Sequence, residues 1–130
     1  MIRETRGPSN LVRMYDFSSG LWSTPSISGT HPSQRYSHAS AVLGSILIVW
    51  GGTDGKEIFD DLWMLNTESL SWQKRDPIGT LALGRYGSCA DIIDKKLYIY
   101  GGISGAGHVA SIDVYDFGAN SYSTLELLNS

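Results

Sequence analysis

Displaced by fifty positions, this sequence falls on itself without a gap. Arg35-Tyr36 lands on Arg85-Tyr86, Gly51-Gly52 on Gly101-Gly102, and Gly29-Thr30 on Gly79-Thr80. Trp22, Trp72 and Tyr122 share one column, and Tyr15-Asp16-Phe17 shares another with Tyr115-Asp116-Phe117. The matches fall on glycine, arginine and aromatic residues, the types with the most specific geometric uses. Such a period dictates an array of similar units, each burying its apolar face only against its neighbours.

Inside each period the texture is that of β-structure. S-H-A-S-A-V-L, a turn at Gly44-Ser45 and I-L-I-V-W form one pair of runs, and S-C-A-D-I-I, Asp94-Lys95-Lys96 and L-Y-I-Y form the next. The run from Ile46 to Trp50 is short, β-branched and bounded by glycine, which predicts a strand buried on both faces. A third strand follows as V-R-M-Y-D-F, D-L-W-M-L-N and I-D-V-Y-D-F, ending in Asp16, Asn66 or Asp116, side chains suited to start a turn. The fourth reads L-W-S-T, S-W-Q-K or S-Y-S-T, one aromatic among polar neighbours, as on a half-exposed strand. No window carries helical apolar spacing with caps. The prediction is all-β: repeated units of four short antiparallel strands, A to D, which is the pattern of a propeller blade.

These features resemble the kelch-repeat family. The resemblance rests on the double glycines Gly51-Gly52 and Gly101-Gly102 after strand B and on Trp22, Trp72 and Tyr122 in strand D. It rests also on Arg35 and Arg85 before strand A and on V-Y-D-F around Tyr115. Leu65 stands where the other copies have Tyr, and Tyr122 replaces Trp, but both exchanges keep bulk. In physical terms, a glycine pair allows positive φ and close backbone approach. The aromatics are expected to bury broad surfaces between adjacent blades. The resemblance implies a partial kelch β-propeller over 1–130, with a half blade of strands C and D at 11–25 and full blades at 36–75 and 86–125. Propellers close with four to eight blades. About two and a half would leave an apolar face open at each end, to be met by the missing blades of a parent propeller or by self-association. The charged fraction of 18%, low for a soluble domain, suits such a surface.

Net charge is −3 and Lys and Arg do not cluster, which disfavours nucleic acid and acidic lipid as partners. No stretch is long and apolar enough to span a membrane, and the first ten residues lack the apolar core of a secretion signal. The single cysteine, Cys89, excludes an internal disulfide and leads to the expectation of a reducing, cytoplasmic location. Aligned with Ala39 in strand A, Cys89 is expected to be a small buried residue.

Several apparent sites dissolve on inspection. Gly105-x-Gly107-x-x-Ala110 has the spacing of a dinucleotide loop, but that loop must open a helix, and strand C begins by Ile112. The acids Asp54, Glu57, Asp60 and Asp61 lack the alternate spacing of a calcium loop and suit a solvated turn. His31, His38 and His108 have no second ligand at metal-like spacing. No cofactor and no catalytic residue is assigned.

Arg35 and Arg85 allow two uses: gripping an acidic group on a partner at the rim, or tying the D–A loop to a neighbouring strand. Recurrence in register favours the second, because a scaffold residue repeats while a binding residue varies. The same logic directs attention to loop residues that differ between copies. The partner-binding candidates are Arg35, Gln34, Thr53, Asp54, Lys56, Arg85, Ser104 and His108. The kelch resemblance implies a non-catalytic scaffold that binds a protein or peptide through its B–C and D–A loops. Two alternatives stay open: part of a kelch-like propeller enzyme, such as a copper oxidase, with its catalytic residues elsewhere, or a non-functional truncated copy.

Overall fold

The structure is a computed structural model and describes residues 9–125. Twelve strands follow in order: β1 (Met14–Asp16), β2 (Leu21–Ser23), β3 (Ala39–Leu43), β4 (Ile46–Trp50), β5 (Leu62–Asn66), β6 (Ser71–Arg75), β7 (Cys89–Ile93), β8 (Lys96–Tyr100), β9 (Ile103–Ser104), β10 (Gly107–His108), β11 (Ile112–Asp116) and β12 (Ser121–Leu125). They form two four-stranded antiparallel sheets, β3-β4-β5-β6 and β7-β8-β11-β12, with β1-β2 as a two-stranded half blade before them. The fold is therefore all-β, built of four-stranded antiparallel blades as expected. One element was not legible in advance: the loop after β8 folds into the small hairpin β9-β10. No helix follows its glycines.

Register explains how the blades stack. Ala39, Trp50, Leu62 and Arg75 form one rung across the middle blade, with Ala41, Ile48, Met64 and Gln73 two residues further in. Residues paired in this way share a face. Ala39, Ile48, Trp50 and Leu62 pack with Leu97, Ile99 and Tyr115 of the last blade in one buried cluster. The opposite face of β4 and β5 places Val49, Trp63 and Leu65, with Trp72, against Val12 and Ile27 near the half blade. This is why I-L-I-V-W carries no polar alternation: both of its faces meet a neighbour. Burying side chains of this size stabilises by about 1.5–3 kcal/mol each.

The outward faces of the array behave differently from their repeats. Cys89, Tyr100, Ile112 and Leu125 form the rung equivalent to Ala39, Trp50, Leu62 and Arg75. Trp50 is 0% exposed, whereas Tyr100 is 49% exposed. Cys89 is exposed rather than buried, which corrects the expectation drawn from its alignment with Ala39. Ala39 is covered because the last blade lies on it, and no further blade among the described residues covers Cys89. Trp22 corrects a second expectation in the same way. Trp72 is 9% exposed between blades, but Trp22 in the same column is 68% exposed.

The glycine doublets carry the same asymmetry. Gly51 and Gly101 both hold positive φ, at 65° and 72°. A Cβ on Gly51 would lie 2.7 Å from the Arg85 carbonyl oxygen of the next blade, while one on Gly101 would meet nothing within 4 Å.

Candidate binding face

The rungs Ala39–Trp50–Leu62–Arg75 and Cys89–Tyr100–Ile112–Leu125 lie at the strand ends where the B–C and D–A connections leave the sheets. Both kinds of loop therefore emerge at one end of the stacked blades. The A–B and C–D turns emerge at the other.

Arg35 and Arg85 sit beneath this loop end and are buried, at 5% and 0% exposure. Arg35 forms a forked pair with Asp61, Nη1 to Oδ1 at 2.6 Å and Nη2 to Oδ2 at 2.8 Å, and also donates to the Gly51 and Ser33 carbonyls. Its guanidinium lies 4.3 Å from the centroid of the Phe59 ring. Arg85 donates through Nη2 to Asp113 and through Nε to the Leu83 carbonyl, and lies over the Trp50 ring of the preceding blade. Its Nη1 has no partner among the described residues. These contacts use the arginines to hold loops to strands and blade to blade. That geometry removes Arg35 and Arg85 from the surface available to a partner.

The acid that meets each arginine shifts within the repeat. Asp61 aligns with Ser111, and Asp113 aligns with Trp63. The two acids thus differ by two positions along strand C, which keeps the carboxylate on the same face. In the middle blade the Trp63 indole donates to Asp61 Oδ2 at 2.7 Å. In the last blade Thr124 donates to Asp113 Oδ1 at 2.6 Å. A fixed-column comparison misses this partner exchange. Burial acts to raise the Asp61 pKa but is outweighed by hydrogen bonds from Arg35 and Trp63 and by the Arg35 charge, so the carboxyl sits below its ordinary value. His38 is also held below its ordinary value, first by desolvation among the loops and then by the Arg35 charge.

Thr53 and Ser104 are buried pegs rather than surface groups. Thr53 Oγ1 donates to the Glu57 carbonyl at 2.5 Å and accepts from Gly55 N–H at 3.0 Å. Ser104 Oγ donates to the Gly107 carbonyl at 3.1 Å and accepts from Ala106 N–H. Each closes its own B–C loop, so neither hydroxyl is free for a ligand in this geometry. One Asp54 oxygen accepts from the Glu57 and Lys56 amides at 2.8 and 2.9 Å, which lowers its pKa and keeps it charged.

Three predicted residues converge. Gln34, Asp54 and Lys56 line a cleft of about 540 Å³ together with Asn10 and Ser33. Gln34 and Lys56 are exposed. His108 is exposed on β10 of the next blade, outside this cleft. Asn10 was not legible from the repeat, because its column holds Asp60 and it precedes the first recognisable strand. A second hollow of about 320 Å³ at the same end is lined by Asp60, Asp61, Lys74, Arg75 and Asp76 among others. Among the described residues, no three His, Cys, Asp or Glu side chains gather into a metal-binding group. No helix of the described chain is long and apolar enough to cross a membrane.

A stack of four-stranded antiparallel blades with ion-paired arginines beneath one loop end defines a segment of a β-propeller. Residues 3–130 match the family model described as the KLHDC2/KLHL20/DRC7 Kelch-repeats domain, and the chain belongs to the kelch-repeat family. It is 32% identical over 99 residues to Tip elongation aberrant protein 1 of Schizosaccharomyces pombe, covering 73% of this chain and 9% of that protein. It is 33% identical over 99 residues to tRNA wybutosine-synthesizing protein 2/3/4 of Oryza sativa subsp. japonica, covering 75% and 9%. To Kelch domain-containing protein 3 of Rattus norvegicus it is 32% identical over 101 residues, covering 76% and 26%. The matched segment thus spans about a quarter or less of each of these relatives.

Proposed function

We propose that this chain is a non-catalytic interaction module that binds a protein or peptide partner at its loop end, through the cleft around Gln34, Asp54 and Lys56. The observation that carries this reading is a division of labour. The recurring polar residues, Arg35 and Arg85, are consumed by buried internal contacts. The differing loop residues Gln34 and Lys56 stand exposed around one cleft. A rigid blade stack with its free donors and charges on variable loops suits recognition better than bond-making. The mixed charges of Asp54, Lys56 and Glu57 suit a partner segment that is itself polar and carries both signs. His108, on the adjacent loop of the same end, extends the contact surface. The module acts in the cytoplasm in this reading, alone or within a larger propeller.

One relative favours a second reading. The name of the rice protein denotes a biosynthetic role, so the segment would there accompany an enzyme. Here too it would serve as a binding module while another part of the polypeptide does the chemistry.

The test is affinity capture with wild-type protein and a Gln34→Ala/Lys56→Glu variant of equal melting temperature. The reading expects captured proteins to be lost with the variant. Equal capture by both proteins would refute it. Asp54 is left intact because its carboxylate holds the loop.

A further inference from the structure

The two connections that lead from a strand D into the next strand A differ in what they show to solvent. His31, Pro32 and Ser33 of the first stand in the columns of Leu81, Ala82 and Leu83 of the second. Pro32 and Ala82 are both buried. Ser33 serves the scaffold, because its hydroxyl accepts from Arg35 Nη2 at 3.3 Å. Leu83 cannot make that bond to its own arginine, and it gains no burial in exchange: Leu81 and Leu83 are 42% and 59% exposed. A single exposed leucine needs no explanation. These two flank a buried residue, so they lie on one side of an extended segment, about 7 Å apart, and form a pair.

The segment is held in this pose from beneath. Ala82 is 5% exposed and packs with Trp50, Leu62 and Leu97 between the two blades. The Leu83 carbonyl accepts from Arg85 Nε at 3.0 Å. A Cβ on Gly84 would lie 2.8 Å from the Phe59 carbonyl oxygen, so the chain is pressed against the middle blade there. The amides of Leu81, Ala82 and Leu83 make no backbone hydrogen bond among the described residues. Leu81 also borders the hollow of about 320 Å³. Two of the charged groups lining that hollow are already committed, Asp61 to Arg35 and Arg75 to Tyr115 and the Phe117 carbonyl. Asp60, Asp76 and Lys74 are exposed and form no ion pair among the described residues. The uncommitted charge is therefore two carboxylates against one ammonium, an acidic excess.

We propose that Leu81 and Leu83, with the acid-rimmed hollow beside them, bind an extended partner segment that carries aliphatic side chains at alternate positions and a lysine or arginine next to them. The aliphatic pair covers the leucines, the partner's main chain takes up the open amides, and the basic residue reaches Asp60 and Asp76. A helix spaces its facing side chains three or four residues apart and matches a pair two residues apart less well. This is a second contact surface, separate from the cleft around Gln34, Asp54 and Lys56, and it stands whether or not that cleft binds.

The probe is a capped synthetic peptide, G-K-V-T-V-K-G, titrated into the full chain and followed by NMR at the leucine methyls. A lysine on each side of the valines serves either strand direction. The expected result is a saturable shift at Leu81 and Leu83, with the buried Leu65 and Leu97 unmoved. Serine in place of both valines should abolish it. Glutamate in place of both lysines should weaken binding about five-fold, the upper scale of an exposed ion pair. In an Asp60→Asn/Asp76→Asn chain the preference for lysine should vanish, as a closed double-mutant cycle requires. Leu81→Ser/Leu83→Ser should lose binding; both side chains are exposed, and unmoved Leu65 and Leu97 methyls show that the fold is kept. Three results would overturn the proposal: no shift at Leu81 and Leu83 with millimolar peptide, equal binding of the lysine and glutamate peptides, or shifts at the Gln34 and Lys56 amides in place of the two leucines. The Gln34→Ala/Lys56→Glu capture reads the cleft alone, so the two readings fail separately.

Discussion

Paired alanine substitutions at Gly51 and Gly101 separate the two tasks of the glycine doublet. Both residues sit at positive φ, 65° and 72°, so alanine meets similar backbone strain at each, about 1–2 kcal/mol. Only Gly51 has a neighbour. Its added Cβ would lie 2.7 Å from the Arg85 carbonyl oxygen and 3.3 Å from that of Phe59, backbone atoms that cannot swing aside. Forcing an extra methyl into such a contact adds about 1–3 kcal/mol. Gly51→Ala should therefore cost about 2–5 kcal/mol and Gly101→Ala about 1–2. Urea unfolding followed by far-UV circular dichroism measures both, with unchanged slopes showing that the denatured state is not the cause. Equal losses at the two sites would refute the claim that Gly51 is required by the contact with the next blade rather than by backbone conformation alone.

Other consequences follow from the same contrasts between repeats. Trp72→Ala should cost about 3–5 kcal/mol by opening the interior between blades, while Trp22→Ala, at an exposed site, should change stability within about 0.5 kcal/mol; thermal melts of the two variants check this. Asp61→Asn strands the buried Arg35 charge and should cost about 3 kcal/mol, whereas Asp116→Asn, whose exposed pair with Lys96 spans 3.9 Å, should leave the melting temperature almost unmoved. Because the folded-state pKa of Asp61 is depressed, its contribution is present above the ordinary carboxylate value of 3.8 and lost as pH falls through the lower folded value. Asp61→Asn should flatten that acid limb of a melting-temperature profile. His38 is also depressed, so the unfolded chain takes up its proton first, and stability should begin to fall as pH drops through 6.5. His38→Asn should remove that upper step.

Most of the fold was legible because it is written in a repeat. The period placed the strands, and I-L-I-V-W announced a strand covered on both sides. What single positions could not reveal was which copy had a neighbour. Cys89 and Ala39 share a column, as do Trp22 and Trp72, yet the outer member of each pair faces outward. Burial here belongs to the junction, not to the residue. The candidate site was legible in part. Gln34, Asp54 and Lys56 stood out as differing loop residues and do converge on one cleft. Thr53 and Ser104 looked the same in sequence, but their hydroxyls close the loops from within. The arginine partners escaped notice because the acid moves two residues along its strand between copies, a change that preserves the face while breaking the column.

The most direct test of the central claim is an amide hydrogen-exchange footprint of the protein with its captured partner bound. Slowed exchange should concentrate in residues 33–34, 54–57 and 105–108, the loops of one end, with the opposite turns at Gly44-Ser45 and Asp94-Lys95 unchanged. Protection centred on those turns, with the loop end unaffected, would contradict the account.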